Sequence, residues 1–254
     1  MEKKVKQAIT ILQNYLKQKL NSVNNSAVFV SGGVDSSVIA KLVYHINPKV
    51  EFLSLATDKS KDLPYLRVLQ SHLNKQIKII KPNPTAITQA SKKLKPVLKK
   101  HNIQPLRLHL PIAIGFYFLC SKAKKLSLNQ AVTGQGPDVL LAGYSRYNNI
   151  TAKDLNQKIL QDLTLLDLDK LRDTLTAQIF GIDLINPYLS NEFVSFCLKL
   201  EPKFKKDNKT KQNKILIRLI ARQLNLPKEI WQRKKSALQY STGLIKKLKI
   251  MELK

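Results

Sequence analysis

Apolar residues along the chain follow two alternating patterns. Short, nearly continuous apolar runs, typical of buried parallel strands, occur at Ala27–Val30, Val50–Leu55, Gln76–Ile80 and Asn129–Thr133. Segments with apolar residues at helical spacing occur at Lys3–Leu20, Val38–Tyr44, Asp62–Leu73 and Pro111–Lys124. This alternation predicts an α/β fold in which an open parallel sheet carries helices on both faces.

Beyond Asn148 the pattern predicts helices only. The candidate helices are Ala152–Leu175, Asn191–Leu200, Asn213–Leu224 and Gly243–Leu253. The lysine-rich, apolar-poor segment Lys203–Lys214 is expected to be an exposed connector. We therefore predict three parts: an N-terminal helix (1–24), an α/β core (25–148) and a helical C-terminal extension that completes the site (149–254).

The segment Ser31–Ser37, with the sequence SGGVDSS, lies between the first predicted strand and its helix. A strand, a glycine turn and a helix in succession direct backbone N–H groups and a helix dipole at an anion. Gly32 and Gly33 lack Cβ, so the backbone can turn sharply and approach phosphate oxygens. The three serines offer hydroxyl donors, and Asp35 is an oxygen ligand suited to Mg²⁺. These residues predict a phosphate-binding loop, which is not a Walker loop because no lysine follows the glycines.

Composition limits the remaining options. No apolar run is long enough to span a membrane, and the N-terminus has no signal-peptide core, so we expect a cytoplasmic protein. Cys120 and Cys197 stand alone in apolar stretches, which predicts buried thiols. The net charge of +27 makes tRNA or another RNA a candidate partner, but only seven of the 44 basic residues are arginine. A solvated lysine surface is the alternative interpretation.

The segment Ser31–Ser37 resembles the pyrophosphate loop, Ser-Gly-Gly-x-Asp-Ser-Ser, of the N-type ATP pyrophosphatases, and all six specified positions match. That family includes asparagine synthetase, argininosuccinate synthetase, GMP synthetase and tRNA-modifying enzymes. The resemblance implies an adenine nucleotide alpha hydrolase-like fold, with ATP and Mg²⁺ as cofactors. It implies that ATP and pyrophosphate are bound by Ser31, Gly32, Gly33, Asp35, Ser36, Ser37, Leu55 and Gly134.

A second loop, Thr133–Tyr144, follows the fourth predicted strand and resembles the asparagine-synthetase loop Ser-Gly-Glu-Gly-Ser/Ala-Asp-Glu-Leu-Phe-Gly-Gly-Tyr. The matching positions are Gly134, Gly136, Asp138, Leu140, Gly143 and Tyr144. The resemblance implies that Asp138 shares Mg²⁺ with Asp35, and two carboxylates at neighbouring strand ends suit a hard cation. A helix cap is the alternative role for Asp138.

The second loop departs from the family at two positions, because Gln135 replaces a glutamate and Val139 replaces an acidic residue. The family's glutamate lies near the reacting carboxyl group and the incoming nucleophile. Glutamine can form hydrogen bonds there but cannot accept a proton. We therefore expect the residues that bind and activate ATP to be intact. The substrate that accepts the activated group, and the way the transfer is catalysed, stay open.

Weaker matches lie nearer the C-terminus. Arg172-Asp173 and Asn186–Leu189 resemble an Arg-x-Pro-Phe-Leu-Asp region, with Ser190 in place of the aspartate. Trp231–Lys235 resembles an Arg-x-Lys motif beside the active site. That resemblance implies that Lys234, or Lys235 after a one-residue slip, stabilises charge during catalysis, with a solvated surface lysine as the alternative. The catalytic candidates are thus Lys234 and Gln135.

The resemblance covers Ala27 to Gly243 and implies an AMP-forming ligase. Such an enzyme adenylylates a small-molecule carboxylate and transfers it to ammonia or another amine. Glutamine-dependent members begin with a glutaminase domain whose cysteine follows Met1, whereas Glu2 follows Met1 here. We therefore expect nitrogen from free ammonia, another amine or a separate glutaminase subunit, and a homo-oligomer is also open. An RNA-modifying enzyme and a nucleotide-binding regulator without catalysis are the alternative functions.

Overall fold

The computed structural model describes residues 1–20, 25–58, 60–207, 210 and 212–234. Its main sheet has five parallel strands in the order β3-β2-β1-β4-β5. The strands are β1 (Ser26–Phe29), β2 (Glu51–Leu55), β3 (Ile77–Ile80), β4 (Gln130–Val132) and β5 (Asp183–Ile185). The strand order changes direction between β1 and β4, so the loops that follow these two strands lie at the switch point where open α/β sheets bind ligands.

Ten α-helices are found in the described residues. They are α1 (Glu2–Lys19), α2 (Val34–Ile46), α3 (Leu63–Leu73), α4 (Pro84–Lys100), α5 (Leu106–Lys125), α6 (Pro137–Leu140), α7 (Leu155–Gln178), α8 (Asn191–Leu198), α9 (Ile215–Gln223) and α10 (Lys228–Gln232). Within this part of the chain, none of them combines the length and the apolar character that a membrane crossing requires.

The two faces of the sheet contribute to two separate apolar cores. Val28 of β1 packs into the core formed with α1, α2, α3, α8 and α9. Its neighbours Ala27 and Phe29 pack into the opposite core, formed with α4 and α5. Successive side chains of a strand point to opposite faces, so a strand buried on both faces is apolar throughout. The predicted α/β fold, with a parallel sheet between two layers of helices, is confirmed.

The expectation of helices alone beyond Asn148 is wrong. The strand β5 pairs with β4 through Asp183–Ile185, and a small antiparallel ladder joins β6 (Lys206–Asp207) to β7 (Gln212–Asn213). Three- and two-residue strands are too short to show a period of two in the sequence. The candidate helix Gly243–Leu253 lies outside the described residues.

The segment Lys203–Lys214 is not simply an exposed connector, because three of its lysines are buried. Lys205, Lys206 and Lys214 are exposed by 0%, 6% and 4%. The ammonium of Lys206 donates hydrogen bonds to the carbonyl oxygens of Tyr147 (2.9 Å) and Asn148 (3.2 Å). Backbone carbonyls can accept the hydrogen bonds of a buried ammonium, which is why lysine content alone did not indicate exposure.

Candidate active site

The loop after β1 is held in shape by its own serines. The Ser36 hydroxyl accepts a hydrogen bond from the Ser31 N–H (3.1 Å) and donates one to the Gly33 carbonyl (3.2 Å). Helix α2 begins directly after Gly33. Because glycine has no side chain, no side chain caps the N-terminus of this helix. Gly32 has φ +66°, and a Cβ there would lie 2.8 Å from Cβ of Tyr65. A tight turn and an uncapped helix start leave this end of α2 suited to an anion.

The loop after β4 packs directly against this first loop at Gly134. A Cβ on Gly134 would lie 2.8 Å from both N and Cα of Ser36, so only glycine allows the two loops to approach this closely. The base of the second loop is fixed by a 2.5 Å hydrogen bond from the Thr133 hydroxyl to Asn186. Tyr188, fully buried, donates a hydrogen bond of 3.1 Å to the Asp35 carbonyl. The segment Asn186–Leu189 thus supports both loops from behind.

Asp35 and Asp138 converge on one cationic group, the ammonium of Lys214. The Lys214 Nζ lies 2.5 Å from Oδ2 of Asp35 and 3.1 Å from Oδ1 of Asp138. Burial disfavours the lysine charge, but the carboxylates of Asp138 and Asp35 outweigh burial and raise the pKa of Lys214. Gly143 makes room for this arrangement, since its Cβ would fall 2.3 Å from Oδ1 of Asp138.

The same two carboxylates fit a divalent cation bound together with a nucleotide. Mg²⁺ is usually held by one or two carboxylates and by substrate phosphates, with water completing its shell. Asp35 and Asp138 supply the carboxylates, and the loop after β1 places an anion site beside them. Among the described residues, no group of three or more acidic, histidine or cysteine side chains forms a self-sufficient metal site. The donor set therefore fits a metal that arrives with phosphate ligands.

A cavity of about 260 Å³ opens at the carboxyl ends of β1 and β4. One part of its wall is apolar and comprises Phe29, Leu55, Ile112, Phe116 and Leu119. The ring of Phe29 packs edge to face on Phe116 with centroids 6.0 Å apart. An apolar wall beside an anion site can accept the base of a nucleotide while the phosphates extend toward the loop.

A second part of the wall is formed by α7 and carries a buried ion-pair cluster. Arg172 lies between Asp169, 2.5 Å from its Nη1, and Asp173, 2.7 Å from its Nε. The Nδ1 atom of His109 lies 3.2 Å from the Arg172 Nη1. Burial raises the pKa of the Asp173 carboxyl to about 6, although Arg172 opposes the shift. The side chain of Gln135 faces Asp173 and also lowers the pKa of its carboxyl group.

Two arginines attach the segment after α9 to the first loop. The Arg233 guanidinium donates a 3.0 Å hydrogen bond to the Ser31 carbonyl, pairs with Asp62 and stacks 4.0 Å above the ring of Tyr65. Arg218 donates hydrogen bonds to backbone carbonyl oxygens of the same segment, including that of Arg233 (3.2 Å). These contacts bring positive charge to the edge of the loop Ser31–Ser37.

The cavity wall brings together most of the residues expected from the sequence. It includes Ser31, Gly33, Asp35, Ser36, Leu55, Gly134, Gln135, Asp138 and Lys234. Lys234 lies exposed at its rim. Gly32 packs against α3 instead, and Ser37 is fully buried within α2. Lys235, the alternative to Lys234, lies outside the described residues.

Sequence reasoning missed Lys214 as a site residue. In the sequence it is one lysine among many in Lys203–Lys214. Its backbone is left-handed, with φ +57°, and its N–H donates to the Leu141 carbonyl at 3.1 Å. An apolar helix beginning immediately after a lysine-rich segment was the one available signal, and it did not distinguish Lys214 from its neighbours.

Two sequence comparisons point to one family. The sequence model of the family described as asparagine synthase matches residues 9–178 and 153–251. The glutamine-hydrolysing asparagine synthetase of Gallus gallus is 27% identical over an alignment of 256 positions that covers 96% of this chain and 44% of that protein. The corresponding Homo sapiens enzyme is 26% identical over 253 residues, covering 94% of this chain and 44% of its own length. The chain thus spans less than half the length of these relatives.

Among solved structures, an NMN synthetase from Francisella tularensis aligns with a TM-score of 0.49 at 15% sequence identity. The alignment covers 92% of this chain and 76% of the synthetase chain.

Proposed function

This chain belongs to the asparagine synthase family, and we propose that it is an ATP-dependent, AMP-forming ligase. In the proposed reaction a carboxylate is activated as an acyl-adenylate, and an amine then displaces AMP to give an amide. The observation that carries the proposal is the convergence of Asp35 and Asp138 on one cationic position beside the loop Ser31–Ser37. Carboxylates from two neighbouring strand ends, next to an anion site, are what a magnesium-bound triphosphate requires.

We propose a place in the cavity for each part of ATP. The adenine base would pack on the apolar wall beside Leu55 and Phe29, against the backbone of Gly134. The β- and γ-phosphates would occupy the loop Ser31–Ser37, where the start of α2 supplies N–H donors. Asp35 and Asp138 would hold Mg²⁺, which neutralises the negative charge that develops on the departing pyrophosphate.

The proposed first step forms one bond and breaks one. A carboxylate oxygen of the substrate attacks the α-phosphorus, and the bond from that phosphorus to the bridging oxygen breaks, so pyrophosphate leaves with the electron pair. The chain would contribute mainly position and charge. The cationic residues in the described lining of the cavity are Arg172, Lys214, Arg218, Arg233 and Lys234. Lys214 is held beside the two carboxylates, and Lys234 at the rim can approach the phosphates.

The proposed second step transfers the acyl group to ammonia or another amine. We propose free ammonia, or an amine delivered by a separate subunit, as the nitrogen source. Comparison of ammonium salts with glutamine as the nitrogen donor, with amide formation as the readout, tests this part of the proposal.

The test of the ligase proposal is exchange of labelled pyrophosphate into ATP. A panel of amino acids and simple dicarboxylic acids should contain at least one acid that supports exchange, with AMP rather than ADP as the nucleotide product. Asp35→Asn and Asp138→Asn should each reduce exchange by about 10²-fold or more, because either change weakens the cation site. Glu2→Gln is a matched charge-neutralising control, since Glu2 pairs with Lys6 on the exposed face of α1. Release of ADP, or tRNA-stimulated AMP release without any exchange, would contradict the ligase proposal.

A further inference from the structure

The acceptor half of the proposed reaction requires a group that takes a proton. When a nitrogen attacks the acyl-adenylate, the new C–N bond forms, the bond from carbonyl carbon to the AMP oxygen breaks, and nitrogen must lose a proton. Gln135 stands near this chemistry in the family pattern, but an amide cannot accept that proton. Another side chain of the cavity wall must therefore supply the base.

Most of the acidic side chains in the described part of the wall are already engaged. These side chains are Asp35, Asp62, Asp138, Asp169 and Asp173. Asp35 and Asp138 contact Lys214, while Asp62 pairs with Arg233. Asp169 contacts Arg172 at 2.5 Å and faces His109 at 3.9 Å. Asp173 also pairs with Arg172, at 2.7 Å, but through one oxygen only.

Asp173 uses one oxygen for structure and leaves the other available. Its Oδ1 accepts the Arg172 Nε at 2.7 Å, which fixes the orientation of the carboxyl group. Its Oδ2 is buried and accepts no hydrogen bond within 3.5 Å from the described residues, although the Gln135 side chain is near enough to lower the pKa of the carboxyl group. The side chain is 1% exposed to solvent, yet it forms part of the same wall as Gln135. A buried carboxylate oxygen without a donor is costly unless a ligand supplies one.

We propose that Asp173 is the base that accepts the proton from the attacking nitrogen, in place of the glutamate that Gln135 replaces. This inference rests on the proposed ligase function. The N–H of the incoming amine would donate to Oδ2 of Asp173 and pass its proton there as the C–N bond forms. AMP departs with the electron pair of the broken C–O bond. Gln135 remains as a neutral neighbour that orients the carboxyl group and the amine.

The surroundings of Asp173 suit this role. The titratable or charged groups that face it are Arg172 and Asp169 on its own helix, Cys120 on α5 and, through Arg172, His109. Burial is the largest influence and raises the pKa of Asp173 to about 6. At neutral pH the group is then ionised and ready to accept a proton, and it is a stronger base than an exposed aspartate.

The test separates activation from transfer by means of two nucleophiles. Hydroxylamine attacks acyl-adenylates without a base and reports activation, whereas ammonia reports transfer that needs the base. With an amino acid or dicarboxylic acid that supports pyrophosphate exchange, Asp173→Asn should keep exchange and hydroxamate formation within about threefold. Amide formation from ammonium chloride should fall by about 10²- to 10⁴-fold, the usual contribution of a general base. Asp169→Asn removes the other carboxylate on Arg172 and should cost transfer less than about tenfold.

A second pair of measurements tests the same point independently. Gln135→Glu, introduced into Asp173→Asn, should restore amide formation at least about tenfold because it returns a carboxylate to the wall. In the unsubstituted protein, amide formation per unit of unprotonated ammonia should rise through about pH 6 and then level off. This profile tests the assignment even if Asp173→Asn fails to fold, because a flat profile contradicts it. Normal ammonia transfer in Asp173→Asn, or a flat profile, refutes the assignment of Asp173 and leaves the ligase proposal intact. Absence of exchange and hydroxamate in the unsubstituted protein refutes both.

Discussion

The ammonium of Lys214 lies 2.5 Å from Oδ2 of Asp35, although 179 positions separate the two residues in the sequence. The contact joins the segment after β7 to the first turn of α2, and it is nearly closed to solvent, since the Lys214 side chain is 5% exposed. A buried ammonium between two carboxylates balances charges that would otherwise repel each other at the mouth of the phosphate site. Lys214 therefore links the C-terminal part of the chain to the chemistry of the first loop.

Replacement of Lys214 by methionine should impair ATP activation. Asp35 and Asp138 would face each other without a counter-charge, so their pKa values would rise and the unfolding free energy would fall by about 3 kcal/mol. Pyrophosphate exchange should fall by about 10²-fold or more. Lys203→Met is the matched control, because Lys203 is 59% exposed and pairs with Glu201 at the surface. Equal exchange rates in the two variants would show that Lys214 has no part in the site.

Gly134→Ala should weaken ATP binding without unfolding the protein. The added Cβ would lie 2.8 Å from backbone atoms of Ser36, so the second loop must move away from the first. Affinity for ATP, measured by calorimetry, should fall at least about tenfold, which corresponds to about 1.4 kcal/mol. Gly181→Ala provides the comparison, since its Cβ meets nothing within 4 Å but its φ is +66°. That variant should lose about 1 kcal/mol of stability and keep its affinity for ATP.

Arg233→Met should loosen the segment after α9 from the first loop. The change removes the hydrogen bond to the Ser31 carbonyl, the ion pair with Asp62 and the stacking on Tyr65. Because Asp62 is 1% exposed, the loss of its arginine partner should cost about 3 kcal/mol of unfolding free energy. The KM for ATP should also rise.

Arg222→Met is the control for this prediction, because it removes a cation from the ring of Trp231 on the same segment. It should leave the KM for ATP within about twofold. A KM for ATP that does not change in Arg233→Met would rule out a role for this contact in nucleotide binding.

The parts of the site that could be predicted are those formed by neighbouring residues. The loop Ser31–Ser37 follows its strand and precedes its helix within a short stretch, so local rules sufficed to indicate an anion site. The fold class could be predicted in the same way, because strands buried on both faces appear in the sequence as short, nearly continuous apolar runs. Lys214 and Asp173 could not be identified in this way. Each resembles an ordinary charged residue in the sequence, and only tertiary packing decides that it is buried.

The missed elements have equally local explanations. Helix α4 (Pro84–Lys100) was not predicted. Pro84 occupies the first turn of this helix, which Asn83 caps, although a proline after an apolar run also suits the end of a strand. Strand β5 has three residues and lies at the edge of the sheet, where pairing with β4 rather than sequence pattern defines it. Short edge strands carry too little periodicity to be recognised from the sequence.

Lys205 should make the stability of the protein depend on pH in the alkaline range. Its side chain is fully buried and donates a 2.5 Å hydrogen bond to Asn156, and burial lowers its pKa from about 10.5 to about 8. Between these two values the unfolded chain binds more protons than the folded chain at this site, so Lys205 raises the unfolding free energy as pH increases from 8 to 10.5. A shift of this size corresponds to about 3 kcal/mol over the window.

Lys205→Met removes this titration and keeps the side-chain length. Urea unfolding at pH 7 and pH 10 should show that the variant gains stability relative to the unsubstituted protein at pH 7, because methionine carries no charge to desolvate. The difference should shrink by about 2–3 kcal/mol at pH 10, where the folded protein holds Lys205 in its neutral form. Lys203→Met, at an exposed position in the same segment, should give the same difference at both pH values. A pH-independent difference for Lys205→Met would mean that the buried ammonium keeps its charge throughout, held by Asn156 rather than released by burial.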